Sequence, residues 1–293
     1  MNIYQLPEKK SLSESISLCT IDDIEIIRIN HPKVQAAVSL HGGHLISFKP
    51  AGKKEVIFLS KKAIFSSSKA IRGGTPVCFP WFGKVASPSH GFARNSTWDL
   101  DTYTENTDTV TLTLTLKDNT QTQKLWPHAF HNQIVFTFGN DLDIKLTTTN
   151  TDTTPWAFSG ALHTYFDIAA SDQVAIYGAG RKYMDSTRDG KLCLNPKSKV
   201  TIDGEVDRIY YEQNNHLVID DVAANRKLDV ELTGANSTVI WCPSAQQSAS
   251  MGDMADDSYK TMVCVESCIR SDKPVTVQPG ESYVLGQSVR TEK

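Results

Sequence analysis

The chain reads as an all-β protein built as one large antiparallel sandwich, and three observations carry that reading. Residues 110–116 alternate strictly between valine or leucine and threonine, and residues 141–147 alternate in the same way, which is the period of a half-buried strand. Turn clusters punctuate the chain at short spacing: Pro50-Ala51-Gly52, Asp118-Asn119, Gly139-Asn140-Asp141, Asp189-Gly190 and Pro279-Gly280. No segment has a long helical apolar period, so the strands follow one another without helical interludes.

In chain order, strands are expected at 24–29, 110–116, 133–138, 141–147, 216–219, 227–232, 239–241 and 282–289. Residues 262–267, Met-Val-Cys-Val-Glu-Ser, read as a strand buried on both faces. Residues 253–259 are too polar and too short for more than a loop or a turn of helix. No repeat of fixed period, low-complexity linker or charge block interrupts the pattern.

Bulk properties narrow the function classes. At 293 residues, with 40% hydrophobic and 22% charged content, the chain is long enough for a sizeable core. A net charge of -3 gives no bulk pull toward nucleic acid or anionic membrane. No run approaches the roughly 18 apolar residues of a membrane span, and residues 1–10 are polar. A cytoplasmic reading follows: the six cysteines are scattered beside apolar residues and are expected to be reduced. Cys264 and Cys268 lack the second pair or nearby histidines of a zinc site, so no metal is expected.

Four constellations carry possible chemistry. Glu266 is a lone carboxylate in an apolar strand, costly unless something pairs with it or uses it. It is either half of a structural salt bridge or a functional group. His163, with Tyr165 and Asp167, sits in another apolar, aromatic segment and is either a satisfied core residue or the partner of that carboxylate. In Arg72-Gly73-Gly74-Thr75-Pro76, two glycines after an arginine let the backbone turn tightly and approach a ligand. A surface turn leading into a core strand fits as well. His90-Gly91-Phe92-Ala93-Arg94 places two basic groups around a glycine, which suits a loop facing an anionic or polyhydroxyl ligand.

Taken together, Arg72-Gly73-Gly74-x-Pro76, the stretch from His90 to Trp98, Ala161-Leu162-His163-Thr164-Tyr165-Phe166, Asp207-Arg208-Ile209-Tyr210 and Met262-Val263-Cys264-Val265-Glu266 resemble the hexose-6-phosphate mutarotases, or glucose-6-phosphate 1-epimerases, of the aldose 1-epimerase (galactose mutarotase-like) superfamily. The resemblance runs from about Gly42 to the C-terminus and implies a single β-supersandwich domain over 1–293, with an open cleft and no metal or organic cofactor. By the same resemblance His163 is the general acid and Glu266 the general base, while Arg72, His90, Arg94 and Asp207 line the substrate site. Trp81, Phe82 and Trp241 are candidates to stack on the sugar face. The chain departs from the family where Trp-Asn-Pro-Trp and a following lysine are common: here the run is Trp241-Cys242-Pro243-Ser244, with Gln247 at the lysine-like position. The departure bears on sugar identity and phosphate affinity.

These residue types fit hemiacetal chemistry. Ring opening needs a proton taken from the C1 hydroxyl and one given to the ring oxygen, and a carboxylate with an imidazolium supplies both. A neighbouring carboxylate is expected to raise the His163 pKa and keep the ring cationic near neutrality. Three readings compete: a mutarotase of a hexose 6-phosphate, favoured, or of an unphosphorylated aldose; a non-catalytic carbohydrate-binding protein on the same fold; and a glycosidase, which wants two carboxylates flanking the bond. The expected partner is a small sugar phosphate, with no nucleic acid or membrane and no need of more than a monomer.

Overall fold

The computed structural model describes residues 2–195, 197–212 and 214–292. Its strands form antiparallel sheets of five, nine, two and eight strands, with only two short α-helices, Thr122–Leu125 and Ala245–Ser250, among the described residues. No helix is long and apolar enough to cross a membrane.

Alternation is what builds the nine-stranded sheet. Phe130–Phe138 and Leu142–Asn150 pair in register and bury every second residue, so Phe130, Ile134, Phe136, Phe138, Ile144 and Leu146 all reach one core. The expected strands are all present and mostly longer: 24–29 is Ile24–His31, 239–241 is Ser237–Cys242, and 282–289 is Ser282–Glu292. The five-stranded sheet at the N-terminal end, Glu8–Ser11 through His44–Pro50, is a meander of which only Ile24–His31 was legible as a strand. The polar six-residue helix Ala245–Ser250 has no apolar period to announce it. It starts because the Ser244 hydroxyl accepts the Gln247 N–H at 3.1 Å.

The eight-stranded sheet matters most for function. Its strand Met262–Ile269 is buried along its whole length, because both faces are covered. Val263, Val265 and Ile269 point into the main core, which the nine-stranded sheet closes from the other side. Met262, Cys264 and Cys268 point the opposite way into two smaller apolar clusters, and Glu266 shares their face.

Candidate active site

Glu266 is 1% exposed and has few partners. One carboxylate oxygen receives the Cys268 thiol at 3.8 Å, a weak donor two residues along the same face. The other lies 3.4 Å from His163 Nε2. The acid/base pair expected from the sequence is therefore brought together.

His163 does not lie in a strand, contrary to the sequence reading. It falls in a two-residue break between the short strands Gly160–Leu162 and Tyr165–Asp167. Both pair with Met262–Ile269, Leu162 opposite Ser267 and Tyr165 opposite Cys264, so the register is kept across the break. His163 is thus held opposite Glu266, while its own N–H donates to Pro76 C=O at 3.0 Å. The imidazole is packed by rings. Tyr165 stacks on it with centroids 5.0 Å apart, Trp241 meets it edge-on at 6.2 Å, and His90 lies at 5.8 Å.

The other expected site residues gather around the pair. Arg72 spreads its guanidinium over two partners: Nε and Nη2 donate to the two Asp253 oxygens at 3.1 and 3.3 Å, and Nη1 donates to the Tyr165 hydroxyl at 3.1 Å. Of its five N–H groups three are used and two remain. The Asp253 clamp had no signal in the sequence beyond the residue itself, 181 positions away. Arg94 Nη2 donates to Ser89 C=O at 2.8 Å. Asp207 lies directly across the strand pair from Trp241, which is half-buried. His90 has a φ of 63°, and its Nδ1 accepts the Gly83 N–H at 3.4 Å, which places the proton of the neutral ring on Nε2.

Three expectations change. Gly73 and Gly74 approach the chain itself, not a ligand: a Cβ at Gly74 would stand 2.3 Å from His44 Nε2 and 2.3 Å from Leu45 O. Trp81 is buried, its indole N–H spent on Pro88 C=O at 2.7 Å, so it belongs to the scaffold; Phe82, against His90 at 5.2 Å, and Trp241 keep partly open faces. Asp167 turns away toward Arg226.

Charge at the pair also differs from the expectation. Burial, then the neighbouring His90 and Arg94, holds His163 well below the ordinary histidine value, where the sequence reading had Glu266 raising it. Burial, aided by Asp207, pushes Glu266 well above the ordinary carboxylate value. Burial takes His90 down to about 4, so that ring is neutral too. Both shifts favour the uncharged forms of the pair, a neutral imidazole and a protonated carboxyl.

Among the described residues one trio has metal-capable donors close together: His163, Cys264 and Glu266, within 4.8 Å of one another. An ion there would compete for the imidazole and carboxylate atoms that make the His163–Glu266 contact.

A buried carboxyl and an imidazole thus meet on the face of the eight-stranded sheet that points away from the main core of a large antiparallel β-sandwich. The sequence pattern of the aldose 1-epimerase family matches residues 25–290, and the chain belongs to that family. A protein of Escherichia coli K12 named "Putative glucose-6-phosphate 1-epimerase" is 38% identical, over 99% of this chain and 98% of its own. One of the same name from the plant Cenchrus ciliaris is 32% identical over 85% of this chain and 78% of its own. The crystal structure of a "putative mutarotase (YeaD)" from Salmonella typhimurium superposes with a TM-score of 0.95 at 36% identity, covering 99% and 98% of the two chains.

Proposed function

We propose that this protein interconverts the α and β anomers of a hexose 6-phosphate, glucose 6-phosphate first, by acid/base opening and closing of the sugar ring. One observation carries the reading: His163 Nε2 and Glu266 Oε1 lie 3.4 Å apart, with no strong donor to the carboxylate. The names of the relatives supply the substrate class.

Proton bookkeeping fits the pair. With a closed ring bound, ionised Glu266 takes the O1 proton while protonated His163 gives one to the ring oxygen, and the C1–O5 bond breaks. Opening leaves Glu266 protonated and His163 neutral. Rotation about C1–C2 turns the aldehyde, and the two transfers run backwards onto its other face. The pair holds one proton throughout. The form that burial favours, Glu266 protonated and His163 neutral, is the form complementary to the open-chain aldehyde. Two such groups contribute on the order of 10²–10⁴-fold each.

Arg72 and Arg94 are the cations we assign to the 6-phosphate, and Trp241 and Phe82 to the apolar sugar face, with His90 and Asp207 at its hydroxyls. The whole chain acts as one domain, a monomer in the cytoplasm, where its six free cysteines stay reduced. The clamp of Asp253 on Arg72 favours a second reading, a mutarotase of unphosphorylated aldoses, because it takes part of the charge a phosphate would use. Anomer exchange by NMR on glucose 6-phosphate, glucose and galactose side by side decides between them. Faster exchange of free glucose than of its phosphate selects the second reading, and saturable binding with no acceleration leaves only a carbohydrate-binding protein.

A further inference from the structure

Gln287 is 1% exposed, on strand Ser282–Glu292 of the nine-stranded sheet, between the buried Leu285 and Val289. An amide in such a place is costly unless both its ends are satisfied. Both ends are, and both partners belong to the other sheet. Gln287 Oε1 accepts the Thr164 hydroxyl, and Gln287 Nε2 donates to Val265 C=O at 3.0 Å. Thr164 follows His163, and Val265 precedes Glu266.

The break at His163 explains what the amide replaces. Thr164 faces Val265, and the Val265 N–H donates to Thr164 C=O at 3.2 Å, as an antiparallel ladder requires. The reciprocal bond, from Thr164 N–H to Val265 C=O, is not made among the described residues. Gln287 Nε2 donates to that carbonyl instead. The Val265 carbonyl is thereby not left unpaired, while the His163 N–H donates to Pro76 C=O and the Tyr165 N–H to Gly74 C=O, in the register that the Ala161–Cys78 pair sets on the other side.

We propose that Gln287 is a positioning residue for the acid/base pair: by bonding Thr164 and Val265, the chain neighbours of His163 and Glu266, and standing in for one missing ladder bond, it holds the two residues at their spacing across the strand pair. The proposal rests on the function given above. Its mark is a loss of turnover without loss of substrate affinity, because Arg72, Arg94 and Trp241 lie outside the Thr164–Gln287–Val265 ring of hydrogen bonds. It also requires that Thr164 and Gln287 act as one unit.

The test is anomer exchange on glucose 6-phosphate for Gln287→Leu, Thr164→Val, Thr164→Ser and the Gln287→Leu/Thr164→Val double variant, with Glu266→Gln as control. Gln287→Leu and Thr164→Val are each expected to lower kcat at least about tenfold, with KM within about twofold. The double variant should be no slower than the worse single one, and Thr164→Ser, which keeps the hydroxyl, should restore turnover. Wild-type kcat in Thr164→Val, or equal loss in Thr164→Ser and Thr164→Val, overturns the proposal, and both hold even if Gln287→Leu does not fold. A Glu266→Gln enzyme that still exchanges anomers overturns the acid/base reading itself, which separates the two failures.

Discussion

Among the described residues two side-chain carboxyl groups are almost wholly shut off from solvent, and they differ in what surrounds them. Asp221 is 0% exposed, yet its oxygens accept the Arg226 Nε–H at 3.0 Å and the Ala169 N–H at 3.1 Å. Glu266, at 1%, has only a thiol at 3.8 Å and an imidazole at 3.4 Å. A buried charge needs a partner of opposite sign and good geometry. Asp221 has one, so its free energy goes into joining the nine-stranded sheet to the segment around Asp167. Glu266 is left able to gain and lose a proton. The difference teaches that donors around a carboxyl, rather than its depth, mark the group with chemistry left to do.

The largest expected effects set these two residues apart. Glu266→Gln and His163→Ala should each slow anomer exchange at least about a hundredfold and leave the fold intact, as loss of a proton-transfer group does. Asp221→Asn should do the reverse. It breaks a buried ion pair, worth about 3 kcal/mol of stability, and leaves exchange near wild type at temperatures where the protein is folded. Exchange rates and thermal melts on the three variants check both halves, and an Asp221→Asn enzyme that is stable but inactive would erase the distinction.

Arg72→Ala comes next. Loss of charge-assisted bonds to a phosphate should raise KM for glucose 6-phosphate at least about tenfold. Because Arg72 also holds the Tyr165 hydroxyl, and Tyr165 stacks on His163, exchange of free glucose should fall too, by less. Steady-state kinetics on both sugars measure the gap. Equal losses would confine Arg72 to the scaffold.

A stability effect sharpens the contrast from the other side. The Glu266 carboxyl is raised in the folded protein, so the native state binds its proton more tightly than the unfolded chain. That contribution is full below the unfolded value of about 4.5 and is lost as pH rises through the folded value. Glu266→Gln removes the titration, and its melting temperature relative to wild type should therefore climb from pH 5 to pH 9. A constant difference would mean that Glu266 is not raised. The smallest effect belongs to Cys268→Ala. Its thiol favours the Glu266 anion, so removing it should move the alkaline limb of the rate profile upward with only a few-fold change in rate.

Much of this was legible from the sequence, for local reasons. Alternation placed the core strands, because a period of two is set by each residue's neighbours. Glu266 stood out because a carboxylate in an apolar strand is rare in itself. The break at His163 was hidden, since residues 158–166 read as one apolar run and the groups that bond beside it, Pro76 and Gln287, are distant in sequence. Trp81 looked like a sugar platform until Pro88 was found to hold its indole N–H. The sign of the His163 shift was missed because a sequence shows the neighbouring carboxylate but not the burial or the two basic side chains beside the ring.

The central claim is that two titrating groups sharing one proton perform the reaction, and the pH dependence of anomer exchange on glucose 6-phosphate tests it most directly. The predicted profile is a plateau ended by two limbs. Protonation of His163 gives the acid limb, with a midpoint below the usual 6.5, and loss of the shared proton gives the alkaline limb, well above the usual 4.5 of a carboxyl. A single limb, or an acid midpoint at or above 6.5, would contradict it.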